Sequence, residues 1–188
     1  MGISSPFLLL GYPVPSQFSW CCSIMGIILE TEPISLLKYQ SAIINGKMED
    51  IWNIMTDFNQ LRIIVPDNNN LPYFSFGNMK IEEKREVSIS NNEKINKYFI
   101  TLKYREEKPG WNKWLIVFEV SGGEPVKIPV HTVLYQLMKI TNSKCQLTIL
   151  TKFNEPIPTE IFKQFSRQKK YLLLSVQNYF DKFHSSNL

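Results

Sequence analysis

Glu83, Arg85, Tyr98, Tyr104 and His131 are polar or titratable side chains set into apolar, strand-like stretches, and they are where chemistry can be sought first. Alternation along Met79 to Ile89 puts Glu83 and Arg85 on the same face as Ile81, Val87 and Ile89. Charges are almost never fully buried unless paired. Two outcomes are open: one of them holds the polar head of a ligand with the other as counter-ion, or a bulge or exposed strand end takes both out of the interior. His131 lies on a strand and can titrate near neutral pH. Its candidate partners are Asp57 and Glu119, and no Ser or Cys nucleophile is placed beside it. Acid–base and nucleophilic catalysis both require such company within hydrogen-bonding reach, so no catalytic residue is assigned. Gly122-Gly123 lacks the spacing of a phosphate-cradling loop.

Cys21, Cys22 and Cys145 with His131 and His184 offer no paired ligands at short spacing, so neither a metal site nor another cofactor is expected. Two of the three cysteines are adjacent, where a bridge is strained, and the odd count gives no disulfide framework. A reducing compartment, cytoplasmic or otherwise intracellular, is the simplest setting. The net charge of +4 is spread along the chain, with no basic cluster interleaved with aromatics and no nucleic-acid-binding motif, so nucleic acid is not an expected partner.

The elements that position these residues begin with the last apolar run. Phe162, Phe165, Leu172, Leu173, Val176, Phe180 and Phe183 recur at helical spacing, which predicts one long amphipathic helix over Thr159 to Phe183. Lys169 alone interrupts the stripe. Pro156 and Pro158 precede the helix, Thr159 is a suitable cap and Glu160 suits the positive end of the helix dipole. Tyr39 to Ile44 reads as a strand. A helix with the stripe Met48, Ile51, Trp52, Met55 and Phe58 follows, with Asn45 as its expected N-cap, and then a short helix over Asn59 to Val65. Asp67 to Pro72 is loop by composition.

Strands are then expected over Met79 to Ile89, Lys97 to Arg105, Trp111 to Val120, Lys127 to Ile140 and Cys145 to Phe153, with Leu71 to Phe76 as an additional candidate. Turns fall at Asn91-Asn92, Lys108 to Gly110, Ser121 to Pro125 and Thr141 to Lys144. Residues 1–37 differ from the rest, with no Lys or Arg and four prolines, and read as an apolar N-terminal extension to a domain over 38–188. The runs Phe7 to Leu10 and Ile24 to Leu29 are too short to span a bilayer and lack the flanks of a secretory signal. The Met1-Gly2 start misses the myristoylation pattern at Pro6, and Cys21 and Cys22 are candidate palmitoylation sites. Packing of the extension against the domain or a protein partner is preferred, because an exposed apolar segment of this size is a liability.

This order of elements resembles the START-like superfamily, also called SRPBCC, which includes the birch-pollen allergen class, plant abscisic-acid receptors, polyketide cyclases and lipid-transfer START domains. The resemblance is carried by IINGKMEDIWNIMTDFNQLRIIVP, Ile43 to Pro66, with its Trp in the first helix and Pro after the second, and by LTILTKFNEPIPTEIFKQF running into the last helix. It implies an α+β helix-grip fold: a curved antiparallel sheet of six or seven strands, two short helices after the first strand, and a long C-terminal helix packed on the sheet. It also implies a cavity between sheet and helix, opening near the Asp67 to Phe76 and Ser121 to Pro125 loops. Glu124-Pro125-Val126 stands where abscisic-acid receptors carry a His-Arg-Leu latch, so hormone sensing is not carried over.

The inward faces of such a grip would be lined by Tyr98, Ile100, Leu102, Tyr104, Trp114, Ile116, Phe118, Leu147, Ile149, Phe162, Phe165 and Leu172, with Glu83, Arg85 and His131 as polar candidates. Apolar walls with a few hydroxyls suit a lipid or other hydrophobic small molecule, and the same residues equally suit a filled core. The leading expectation is therefore noncatalytic binding or transport of such a ligand. The alternatives are a structural subunit with a filled cavity, docked on a protein partner through residues 1–37, and a cyclase-like enzyme.

Overall fold

The computed structural model describes residues 37–65, 74–91, 94–124 and 128–185. The readings that concern the N-terminal extension, the Asp67 to Pro72 loop, the Asn92 turn position and Pro125 to Lys127 lie outside the described residues. The elements run β1 (Leu37–Asn45), α1 (Met48–Thr56), α2 (Phe58–Ile64), β2 (Lys84–Asn91), β3 (Lys94–Glu106), β4 (Lys113–Glu124), β5 (His131–Thr141), β6 (Lys144–Phe153) and α3 (Thr159–Ser185). They form a six-stranded sheet of order β1-β6-β5-β4-β3-β2, antiparallel at every pairing. The first strand thus pairs with the last. The chain crosses from one sheet edge to the other through α1 and α2, then returns by consecutive hairpins.

The core lies between the inner face of the sheet and the helices. Ile44, Ile100, Leu102, Trp114, Ile116, Phe118, Val133, Tyr135, Leu137, Leu147 and Ile149 meet Ile51, Trp52, Met55, Phe58 and Leu61 from the short helices and Leu172, Leu173, Val176 and Phe180 from α3. Each such aliphatic or aromatic side chain contributes about 1.5–3 kcal/mol by leaving water. Much of this volume is taken by rings in edge-to-face or tilted contact: Trp52 on Trp114, and Phe58, Phe74, Phe76, Phe118 and Tyr135 in a chain of neighbours 4.8–6.5 Å apart.

Several local expectations are corrected. Asn45 is not the N-cap of α1; that position is Lys47, which makes no side-chain cap bond, while Asn45 Nδ2 donates to Asp181 Oδ1 of α3 at 2.7 Å. The strand expected from Met79 begins only at Lys84, because Glu82 has φ 65° and Lys80 to Glu83 form a turn. Ile81 is consequently exposed. The described part of Leu71 to Phe76 makes only the isolated bridge Ser75–Asp57, so the sheet has six strands among the described residues.

Ser121 to Glu124 is strand with a bulge. Lys97 pairs with Glu124 but Phe99 with Ser121, so β4 carries an extra residue there, accommodated by Gly122 at φ 82° and Gly123 at φ 133°. A second bulge has the larger effect. Leu102 pairs with Phe118 and Tyr104 with Val117, so Lys103 is the extra residue in β3 and the alternation inverts beyond it.

Candidate ligand-binding site

The inverted alternation decides which polar groups enter the interior at the end of β3. Tyr104, expected to line the cavity, shares the outer face with Val117 and is 40% exposed, its hydroxyl donating to Glu106 Oε2 at 3.1 Å. Arg105 takes the inner side opposite Ile116, where Nη1 donates to the Gly77 carbonyl at 2.8 Å and Nη2 pairs with Glu107 at 2.6 Å. It ties the segment after α2 to the sheet. Glu83 and Arg85 pair with each other at 2.6 Å at the free edge of the sheet, both part-exposed. The Arg85 guanidinium holds the Glu83 carboxyl below its ordinary range. Of the two expected outcomes, the exposed strand end is the one found.

Tyr98, Ile100, Leu102, Trp114, Ile116, Phe118, Leu147, Ile149 and Leu172 are all in the core as expected. Burial pushes the hydroxyls of Tyr98 and Tyr135 upward in pKa, so both rings stay neutral. Phe162 and Phe165 are only partly buried and do not join this core. They meet Phe153 and His131 instead, with ring centroids 5.0–6.1 Å apart, in a second and smaller aromatic cluster under the first turns of α3.

His131 is 3% exposed in this second cluster. Its Nδ1 donates to the Pro129 carbonyl at 2.7 Å, which leaves Nε2 bare in the neutral ring. Burial, with Lys169 nearby, lowers its pKa to about 4. The partners considered for catalysis do not serve it: Asp57 caps α2 by accepting from Asn59 N at 3.0 Å, and Glu119 points to the opposite face, since its neighbour Val120 is the residue that faces His131.

A polar belt separates the two clusters, and most of it was not expected from sequence. On β6, Thr151 stands between Ile149 of the core and Phe153 of the smaller cluster; it is 2% exposed and its Oγ1 has no hydrogen-bond partner among the described residues. On β1, Gln40 lies one pleat away; its Nε2 donates to the Ser166 carbonyl of α3 at 2.9 Å, and its buried Oε1 is also unpaired there. On α3, Lys169 lies between Phe165 and Leu172, and burial lowers its amine to about 8. The interruption of the helix stripe at Lys169 was the one visible signal. Buried polar groups are ordinarily satisfied, so unpaired ones on two neighbouring strands are unusual.

No protein-family model matches the chain and no curated protein sequence does. Solved structures do. Ara h 8.0201 superposes with a TM-score of 0.57 at 11% identity, over 78% of this chain and 97% of that one. A START superfamily protein from Mycobacterium smegmatis gives 0.50 at 10% identity, over 78% and 98%. The di-domain ARO/CYC StfQ from the steffimycin biosynthetic pathway gives 0.56 at 7% identity over 79% of this chain, which spans 46% of StfQ. The chain has the START-like helix-grip fold. Within this helix-grip domain, α3 is the gripping helix, and the second aromatic cluster with its polar belt lies beneath its N-terminal half. Of the helix-grip mouth expected at Ser121 to Pro125, the described part is bulged strand, with the Ile128 amide donating to the Gly122 carbonyl at 3.0 Å. No described helix is long and apolar enough to cross a membrane.

Proposed function

We propose that this helix-grip domain binds a hydrophobic small molecule or lipid between the sheet and the N-terminal half of α3, and that it does so without catalysing a reaction. The observation that carries the reading is the polar belt between two apolar clusters, where Thr151 Oγ1 and Gln40 Oε1 are buried without partners. Leaving such groups unsatisfied costs about 1–3 kcal/mol each, a cost a bound ligand removes. The helix-grip fold, shared with START and allergen-class structures, supports the same reading. The enzyme alternative has little to work with, because His131 is buried among Phe153 and Phe165 with its Nδ1 committed to Pro129.

A second reading has its own observation. The chain of rings from Phe58 to Tyr135 fills the other half of the grip, as a structural subunit would, with residues 1–37 then as its docking arm. Native mass spectrometry of protein purified gently from its own source separates the two. A co-purifying small-molecule mass is expected; a stable heteromeric complex carrying no small ligand would overturn the binding role in favour of the subunit.

A further inference from the structure

We infer that Lys169 and Thr151 form the anchoring site for a single negatively charged group on an amphiphile, whose apolar body lies against Phe153, Phe162 and Phe165. The inference rests on the ligand-binding reading above and adds the chemical class of the ligand. Three elements bring the groups to one level of the grip. Thr151 lies opposite Val133 on β5 and two residue pairs from Gln40↔Ile149 on the same face, and Gln40 reaches Ser166, three residues before Lys169 on α3.

The charge balance of the site selects an anion. Lys169 makes no ion pair or hydrogen bond among the described residues, and burial alone is what lowers its amine, with no carboxylate contributing. Titratable or charged groups on the elements around it are His131 of β5, Lys38 of β1 opposite Thr151, and Arg62 of α2; on α3 itself Glu160, Lys163, Arg167 and Lys170 are exposed, with Glu160 paired to Lys163. His131 is neutral at physiological pH and cannot serve as counter-ion. A half-buried ammonium on the inward stripe of α3 with no ion-pair partner among the described residues, at the level of the unpaired Thr151 hydroxyl, is complementary to a carboxylate-, sulfonate- or phosphate-type oxygen. The half-exposed Phe162 and Phe165 supply apolar surface on the same side.

Two fluorescent probes with the same rings test this: anilinonaphthalene sulfonate, which is anionic, and phenylnaphthylamine, which lacks the sulfonate. The full chain is expected to bind the anionic probe about tenfold or more tightly than the neutral one, as a charge-assisted hydrogen bond would give. Lys169→Met is expected to abolish that preference while leaving the neutral probe unaffected, and Lys169→Arg to retain it. Because the sulfonate stays ionised, affinity for the anionic probe should fall as pH rises through about 8, where the Lys169 amine loses its proton. Equal affinity for the two probes, equal loss of both in Lys169→Met, or the same selective loss in the exposed-site variant Lys170→Met would overturn the inference. If neither probe binds the unaltered protein, the ligand-binding reading itself falls.

Discussion

At the scale of single residues, two titratable side chains carry an energetic signature of their burial. His131 has its pKa lowered from 6.5 to about 4, so between those values the unfolded chain binds a proton that the folded one does not. Its contribution is fully present above pH 6.5 and is lost as pH falls toward 4, by about 3 kcal/mol at most. Urea midpoints measured at pH 7 and 4.5 are expected to differ accordingly, and His131→Phe to reduce the difference. Lys169 is lowered from 10.5 to about 8, so stability from this site rises as pH climbs between the two. Lys169→Met is therefore expected to raise the thermal midpoint at neutral pH while destroying anionic-probe preference. A gain in stability with a loss of binding is the pattern of a functional rather than a structural lysine. The sequence showed Lys169 as a break in the α3 stripe, but neither Thr151 nor Gln40 stood out, because a polar residue on a strand carries no mark of which neighbours will leave it unpaired.

At the scale of elements, α3 was the most legible part of the chain, its start and the buried Leu172, Leu173, Val176 and Phe180 following from spacing, while Phe162 and Phe165 stay half-buried outside the main core. Its far end is fixed by a close approach that spacing could not reveal. A Cβ on Gly46 would stand 2.7 Å from the Phe180 ring and 3.3 Å from Ile51, with Asn45 bonded to Asp181 beside it. Gly46→Ala is expected to cost about 1–3 kcal/mol by forcing the Phe180 ring and the end of α3 away from β1, read as a lower urea midpoint with unchanged slope. The strands were legible in number and order, less so at their ends. One extra residue at Lys103 reversed every inward and outward assignment beyond it, exchanging Tyr104 for Arg105. Period-two reasoning assumes an unbroken ladder, and a bulge is decided by the partner strand.

At the scale of the molecule, the interior divides into a core filled by its own rings and a smaller aromatic cluster, with the unpaired Gln40 Oε1 and Thr151 Oγ1 between them. Phe118 touches Phe58, Phe76 and Tyr135 in the filled core, so Phe118→Ala is expected to cost about 3–5 kcal/mol, measured by chemical denaturation. The ratio of anionic to neutral probe affinities should be unchanged, since Lys169 lies at the other end; a ratio falling to unity would show that one continuous cavity serves both clusters.

Hydrophobic periodicity by itself determined the helix-grip order of elements and most of the inward-facing set, because both are properties of local spacing that every compact form of the chain must respect. The charges at Glu83 and Arg85, the face of Tyr104, and the unpaired burial of Gln40 Oε1 and Thr151 Oγ1 were decided only by tertiary structure. The β3 bulge is set by the partner strand, as in Leu102 with Phe118, and the seating of α3 by residues more than a hundred positions apart, as in Gln40 with Ser166, which no short window along the chain contains together.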